Sequence, residues 1–172
     1  MLRRRLLRIV PLLTAAVLSS RDALAQRAVI VVRHAEKISE EDQRLSEAGV
    51  ARSRRLAEML KNAGIAAIYA TNTERAIWTV RPLADSLKLK VEIYDTGGGA
   101  DHAVDSSAFV EALRKAHADD AVLVVGHSNT IPDLLKKLRC SGEVSIASSQ
   151  YDDLFVVVPK GNGAAELVWL KY

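Results

Sequence analysis

Arg27-Ala-Val-Ile-Val-Val-Arg-His34 places five consecutive apolar residues, four of them β-branched, immediately before an arginine and a histidine. A continuous run of this kind predicts a strand buried on both faces, as in a parallel sheet covered by helices. The chain downstream supports that reading. Ser46 to Leu60 has apolar residues at Val50, Leu56, Met59 and Leu60, which predicts a helix stopped by Gly64. Ile65–Ala70 reads as a second strand, Thr73–Leu87 as a helix with a kink at Pro82, and Leu89–Tyr94 as a third strand before the Gly97-Gly98-Gly99 loop. Phe109–His117 then reads as a helix, Ala121–Gly126 as a strand, and Ile131–Leu138 as a helix with Pro132 in its first turn. Leu154–Val158 and Glu166–Leu170 flank Lys160-Gly161-Asn162-Gly163, a hairpin turn. Alternating strands and helices closed by a hairpin predict an α/β fold, a three-layer α/β/α sandwich with a mostly parallel central sheet.

Working outward, the 172 residues carry a net charge of +3 and one cysteine. The length suits one domain plus an appendage, and a single cysteine excludes an intrachain disulfide framework or a Cys-rich zinc site. The basic excess is local. Arg3, Arg4, Arg5 and Arg8 precede the apolar stretch Ile9–Leu18, and Ala23-Leu24-Ala25 follows. That pattern predicts a secretory signal peptide over 1–25, cleaved between Ala25 and Gln26, on either the general or the twin-arginine export route. The stretch is about half the length a membrane-spanning helix needs, so no stable membrane span is expected. An uncleaved amphipathic anchor is the alternative. Residues 1–25 hold five arginines and one aspartate, so the 26–172 domain carries −1. Its charge then offers no reason to expect nucleic acid. No amphipathic stretch is left over to set an oligomeric state.

In open α/β sheets, ligands bind at the carboxyl ends of the parallel strands. There the sequence places Arg33-His34-Ala35-Glu36, Thr71-Asn72 with Arg75 just inside the next helix, Tyr94-Asp95, and Gly126-His127-Ser128-Asn129. Two guanidiniums beside two imidazoles suit a phosphoryl group. Arginine offers planar, permanently charged pairs of donors, and adjacent positive charge keeps an imidazole neutral and nucleophilic. Attack on phosphorus gives a phosphohistidine that water hydrolyses, while a carboxyl group at the rim supplies the leaving-group proton.

These residues together resemble the histidine phosphatase superfamily, which includes phosphoglycerate mutases and acid phosphatases. The resemblance rests on Val31-Val32-Arg33-His34-Ala35-Glu36-Lys37, Arg44-Leu45-Ser46-Glu47-Ala48-Gly49, Thr73-Glu74-Arg75-Ala76 and Val124-Val125-Gly126-His127-Ser128-Asn129. It implies His34 as nucleophile and Arg33, Arg75 and His127 as the phosphate pocket, with Asn129 or the following backbone as a further donor. Asp95 takes the place of the proton donor, where familiar members carry Glu in a longer motif; Glu36 and then Asp101 are the alternatives. No metal or cofactor is implied.

Other residues read as structural: His102 in a solvated loop, His117 at a helix C-terminus, Cys140 semi-buried, and Tyr151-Asp152-Asp153 structural or at the site edge. The sum is an exported, metal-independent phosphomonoesterase of the small branch, acting on a small-molecule or surface-presented phosphomonoester. The alternative is a non-catalytic phosphate-binding protein of the same fold.

Overall fold

The computed structural model describes residues 28–96, 105–160 and 163–172. The expected signal peptide and its cleavage site, the Gly97–Gly99 loop, Asp101, His102 and the hairpin tip at Gly161 and Asn162 lie outside the described residues. The elements are β1 (Ala28–Arg33), α1 (Glu47–Leu60), β2 (Ile65–Thr71), α2 (Glu74–Leu87), β3 (Val91–Tyr94), α3 (Ser107–Ala116), β4 (Ala121–Gly126), α4 (Thr130–Lys137), β5 (Asp153–Pro159) and β6 (Ala165–Lys171). Each expected strand and helix is present, with ends moved by one or two residues.

The six strands form one sheet in the order β3-β2-β4-β1-β5-β6. The pairs β1–β4, β2–β4 and β2–β3 are parallel, whereas β5 runs antiparallel to β1 and β6 antiparallel to β5. The β1 run is apolar throughout because both of its faces are covered. Val29 and Val31 pack with Val122, Val124 and Phe155 against Val110 and Leu113 of α3 and Ile131, Leu134 and Leu135 of α4. Ile30 and Val32 pack with Leu123 and Val125 against Leu56 and Leu60 of α1 and Val80 and Leu83 of α2. The period-2 alternation of strand side chains thus splits one run between two helical layers.

Two helical details differ from expectation. In α1 the inward face is Gly49, Ser53, Leu56, Ala57 and Leu60, while Val50 and Met59 are exposed. Small residues there bring α1 close to the chain beyond β1: a Cβ on Gly49 would stand 2.2 Å from the Glu36 carbonyl oxygen. Ser46 caps the helix, its hydroxyl accepting from the Gly49 amide at 3.2 Å. Pro82 lies inside α2, which continues to Leu87.

Candidate active site

The site begins with strand register. Arg33 of β1 pairs with Gly126 of β4, so the next residues, His34 and His127, leave the sheet at the same level. Their rings lie 5.1 Å apart between centroids, tilted by 59°. Gly126 permits the turn into α4: a Cβ there would approach Thr130 Oγ1 to 2.8 Å, and that oxygen accepts from the His127 amide at 2.8 Å. The His127 amide is therefore committed to the turn. Asn129 is exposed at the start of α4 and makes no side-chain cap bond.

His34 is buried, and its Nδ1–H donates to the Ala35 carbonyl at 2.8 Å. A carbonyl only accepts, so this bond fixes the tautomer and leaves the lone pair on Nε2. Burial, with His127, Arg75 and Arg33 nearby, pushes the His34 pKa down to about 3 against the opposing pull of the Ala35 bond. The ring is neutral at physiological pH, the state a nucleophilic imidazole requires. Thr79 of α2 holds this turn, its hydroxyl accepting from the Ala35 amide at 2.8 Å.

His127 is held from two sides. Arg75 Nη2 donates to its Nδ1 at 3.3 Å, so the proton of the neutral ring sits on Nε2 and is donated to Thr71 Oγ1 at 2.7 Å. Burial and the charges of Arg75, Arg33 and Lys37 push its pKa down to about 4.

Both arginines are fixed by neutral acceptors. Arg33 Nη1 donates to the carbonyls of Ala147, Ser148 and Gln150 at 2.8, 2.9 and 2.9 Å. Arg75 Nη1 donates to Gln43 Oε1. Gln43 is presented by a loop that closes on itself, with the Ile38 amide donating to the Arg44 carbonyl at 3.0 Å. Arg33 Nε and Arg75 Nε are buried and find no acceptor among the described residues. A buried donor left unmatched costs about 1–3 kcal/mol, a need that phosphoryl oxygens would meet. Two guanidiniums with no carboxylate bonded to them among the described residues, beside two neutral imidazoles, carry a charge of about +2, matched to a phosphomonoester dianion.

The carboxylates separate by position. Glu36 accepts from Arg52 Nε at 3.0 and 2.9 Å and from Arg52 Nη2 at 2.7 Å. Burial raises its pKa, but the Arg52 bonds and charge outweigh this and hold it below the usual carboxylate range. A carboxylate so held is a poor proton donor near neutral pH. Asp95 is exposed at the end of β3. Thr71 pairs with Tyr94 and Ala70 with Val125, which puts Asp95 level with His34. It stands three strand spacings from β1, about 14 Å at roughly 4.8 Å per strand. Among the described residues, no three His, Cys, Asp or Glu side chains gather as a metal site.

Gln43 carried no signal in the sequence, and Thr71 stood out only by its place at the end of β2. Tyr151 did: β5 is antiparallel to β1, so residues just before β5 must arrive at the edge where β1 ends. Its ring lies 4.1 Å from the Arg33 guanidinium carbon and 5.8 Å from the His34 ring. Cys140 is half-buried and its pKa is pushed up to about 11 by burial, as suits an inert thiol. His117 bonds Tyr69 and Asp120 at 2.8 and 2.9 Å, on its own side of the sheet.

Residues 29–96 match the histidine phosphatase superfamily (branch 1). That span of the chain is similar to the histidine phosphatase superfamily. The match takes in Arg33, His34 and Arg75, and the fold likeness continues beyond it. The protein histidine phosphatase SixA, solved with tungstate, superposes with a TM-score of 0.64 at 22% identity, over 84% of this chain and 96% of its own. The alpha-ribazole phosphatase from Shigella flexneri gives 0.67 at 16% identity, over 84% and 96%. A mycobacterial glucosyl-3-phosphoglycerate phosphatase gives 0.62 at 14%, over 85% and 98%. No curated protein sequence matches the chain. The match to this superfamily over residues 29–96 supports a phosphatase activity.

Proposed function

We propose that the protein is an exported, metal-independent phosphomonoesterase that works through a phosphohistidine on His34. The observation that carries the reading is the fixed tautomer of His34, with its Nε2 lone pair free of the Ala35 bond, beside two guanidiniums that no carboxylate among the described residues bonds. Arg33 and Arg75 bind the phosphoryl oxygens, and His127 joins them when its Nε2–H passes from Thr71 Oγ1 to a phosphoryl oxygen. Nε2 attacks phosphorus, the phosphorus–oxygen ester bond breaks, and the leaving oxygen takes a proton. Asp95 is the proton donor in this reading, which requires that the bound ester or Asp95 move so that the two meet across the strand ends between β1 and β3. Water then attacks the phosphoimidazole, the P–N bond breaks, and phosphate leaves with His34 restored. The Nδ1–H bond to the Ala35 carbonyl keeps the ring oriented while it carries positive charge.

Residues 1–25 act as the export signal in this proposal, and the substrate is a small or surface-presented phosphomonoester met outside the cytoplasm. Among the described residues, no helix is long and apolar enough to cross a membrane. Hydrolysis of an aryl phosphate with and without a chelator tests the chemistry. Turnover unaffected by the chelator and abolished in His34→Ala is expected. Activity that survives His34→Ala refutes the nucleophile, and loss on chelation refutes metal independence. Mass spectrometry of the exported protein should find Gln26 at its N-terminus; an intact Met1 end refutes cleavage.

A further inference from the structure

The segment Ala147–Tyr151 lies far from the phosphate residues in sequence, outside the span matched to the superfamily, and yet it encloses Arg33. Three of its carbonyl oxygens converge on one nitrogen, Arg33 Nη1, at 2.8, 2.9 and 2.9 Å. Its tyrosine covers one face of the same guanidinium at 4.1 Å and sets its ring edge toward His34 at 5.8 Å. Arg33 is only 6% exposed, so its plane is held by this segment and not by solvent.

The segment is itself anchored. The Gln150 amide donates to the Ala147 carbonyl at 3.0 Å, and Gln150 Oε1 accepts from the Ala147 amide at 3.3 Å, which closes the turn. Beyond it, the fully buried Asp153 accepts from Trp169 Nε1 and Lys171 Nζ, each at 2.6 Å. The Tyr172 amide donates to the Asp152 carbonyl at 2.9 Å. The C-terminal hairpin thus holds the turn that holds Arg33.

The choice of acceptors has an electrostatic consequence. A carboxylate would fix Arg33 equally well but would cancel its charge. Carbonyl dipoles and an aromatic face fix the guanidinium and leave the full positive charge for a bound anion. With Nη1 occupied by the three carbonyls, Nη2 and the unmatched Nε are the donors left for phosphoryl oxygens.

We infer that Tyr151 is a positioning residue for oxyanion binding: its ring face and the preceding carbonyl turn orient Arg33 for a phosphoryl group. The inference rests on the phosphate-site reading above but not on turnover. The test is the affinity of the full chain for inorganic tungstate, measured by calorimetry, together with kcat and KM on an aryl phosphate. Tyr151→Leu keeps the bulk and removes the π face. It should weaken tungstate binding about tenfold, within the range of a desolvated cation–π contact. Tyr151→Phe keeps the ring and should restore affinity to within about twofold. In an Arg33→Ala background, Tyr151→Leu should add nothing, because its effect passes through Arg33. Circular dichroism melts identify any variant that loses its fold, and the Phe variant keeps the test readable in that case. An equal loss in Phe and Leu variants, or a full Leu effect without Arg33, overturns the inference. Tungstate binding with this coupling but without turnover would refute the phosphatase reading alone. Failure of the wild type to bind tungstate would refute both.

Discussion

Acidification from pH 7 to pH 5 should cost the folded protein about 2 kcal/mol through His34 alone. The folded-state pKa of this ring is pushed down to about 3. The unfolded chain has an ordinary histidine value near 6.5, so it takes up the proton first as the pH falls. Stability is therefore complete above about pH 6.5 and declines as the pH drops toward the folded value. At pH 5 the solution is about 1.5 pH units below the unfolded value, and each is worth about 1.36 kcal/mol, which gives about 2 kcal/mol. His34 is only 3% exposed, so solvent relieves little of this. His127 adds to the loss in the same direction, by less, because its ring is partly exposed. The assay is urea denaturation of wild type and His34→Gln at both pH values in buffer free of phosphate. Wild type should lose about 2 kcal/mol more than the variant. Carboxylates interfere little, since their unfolded values lie near 4 and the window closes at pH 5. Equal losses in the two proteins would refute the view that His34 is held neutral by burial and neighbouring charge.

Three further outcomes follow from the geometry. Gly49→Ala should destabilise by about 1–3 kcal/mol in thermal or urea melts and should lower kcat/KM. The new Cβ meets the Glu36 backbone, which cannot yield without moving the turn that carries His34. Asp95→Asn should slow alkyl phosphate hydrolysis by at least about 100-fold and leave aryl phosphates nearly unchanged, because only the poor leaving group needs a proton; equal effects on both substrates would remove Asp95 as the acid. The acid limb of kcat/KM should follow the second ionisation of the substrate phosphate, near pH 6, and not the titration of His34. A limb that stays fixed when the ester is changed to one of lower second pKa would contradict this.

Where sequence was sufficient, the signal was local and repeated. The unbroken β-branched run of β1 meant two covered faces, and residues at strand ends meant one edge of one sheet. Arg33, His34 and His127 were legible because the residue after a buried parallel strand has nowhere else to go. Arg75 was legible because it follows the end of β2 by four residues. The insertion of β4 between β1 and β2 is a property of the packed layers, and no local pattern encodes it. The grip on Arg33 was equally invisible, since backbone carbonyls are offered by every residue type and these lie 114 to 117 positions away. Glu36 looked available as an acid until Arg52, a full turn inside α1, was seen to hold both of its oxygens. Val50 and Met59 misled because an apolar residue can stand on the outside of a helix whose inner face must be small. Gly49, Ser53 and Ala57 formed that face instead.

The central claim is covalent chemistry at His34 Nε2. Its most direct test is rapid acid-quench of the protein during turnover of a labelled aryl phosphate, with mass spectrometric location of the label. An acid-labile, base-stable phosphoryl group on His34, absent from His34→Ala, is the predicted result. Turnover with no label on His34, or label on another residue, would contradict the account.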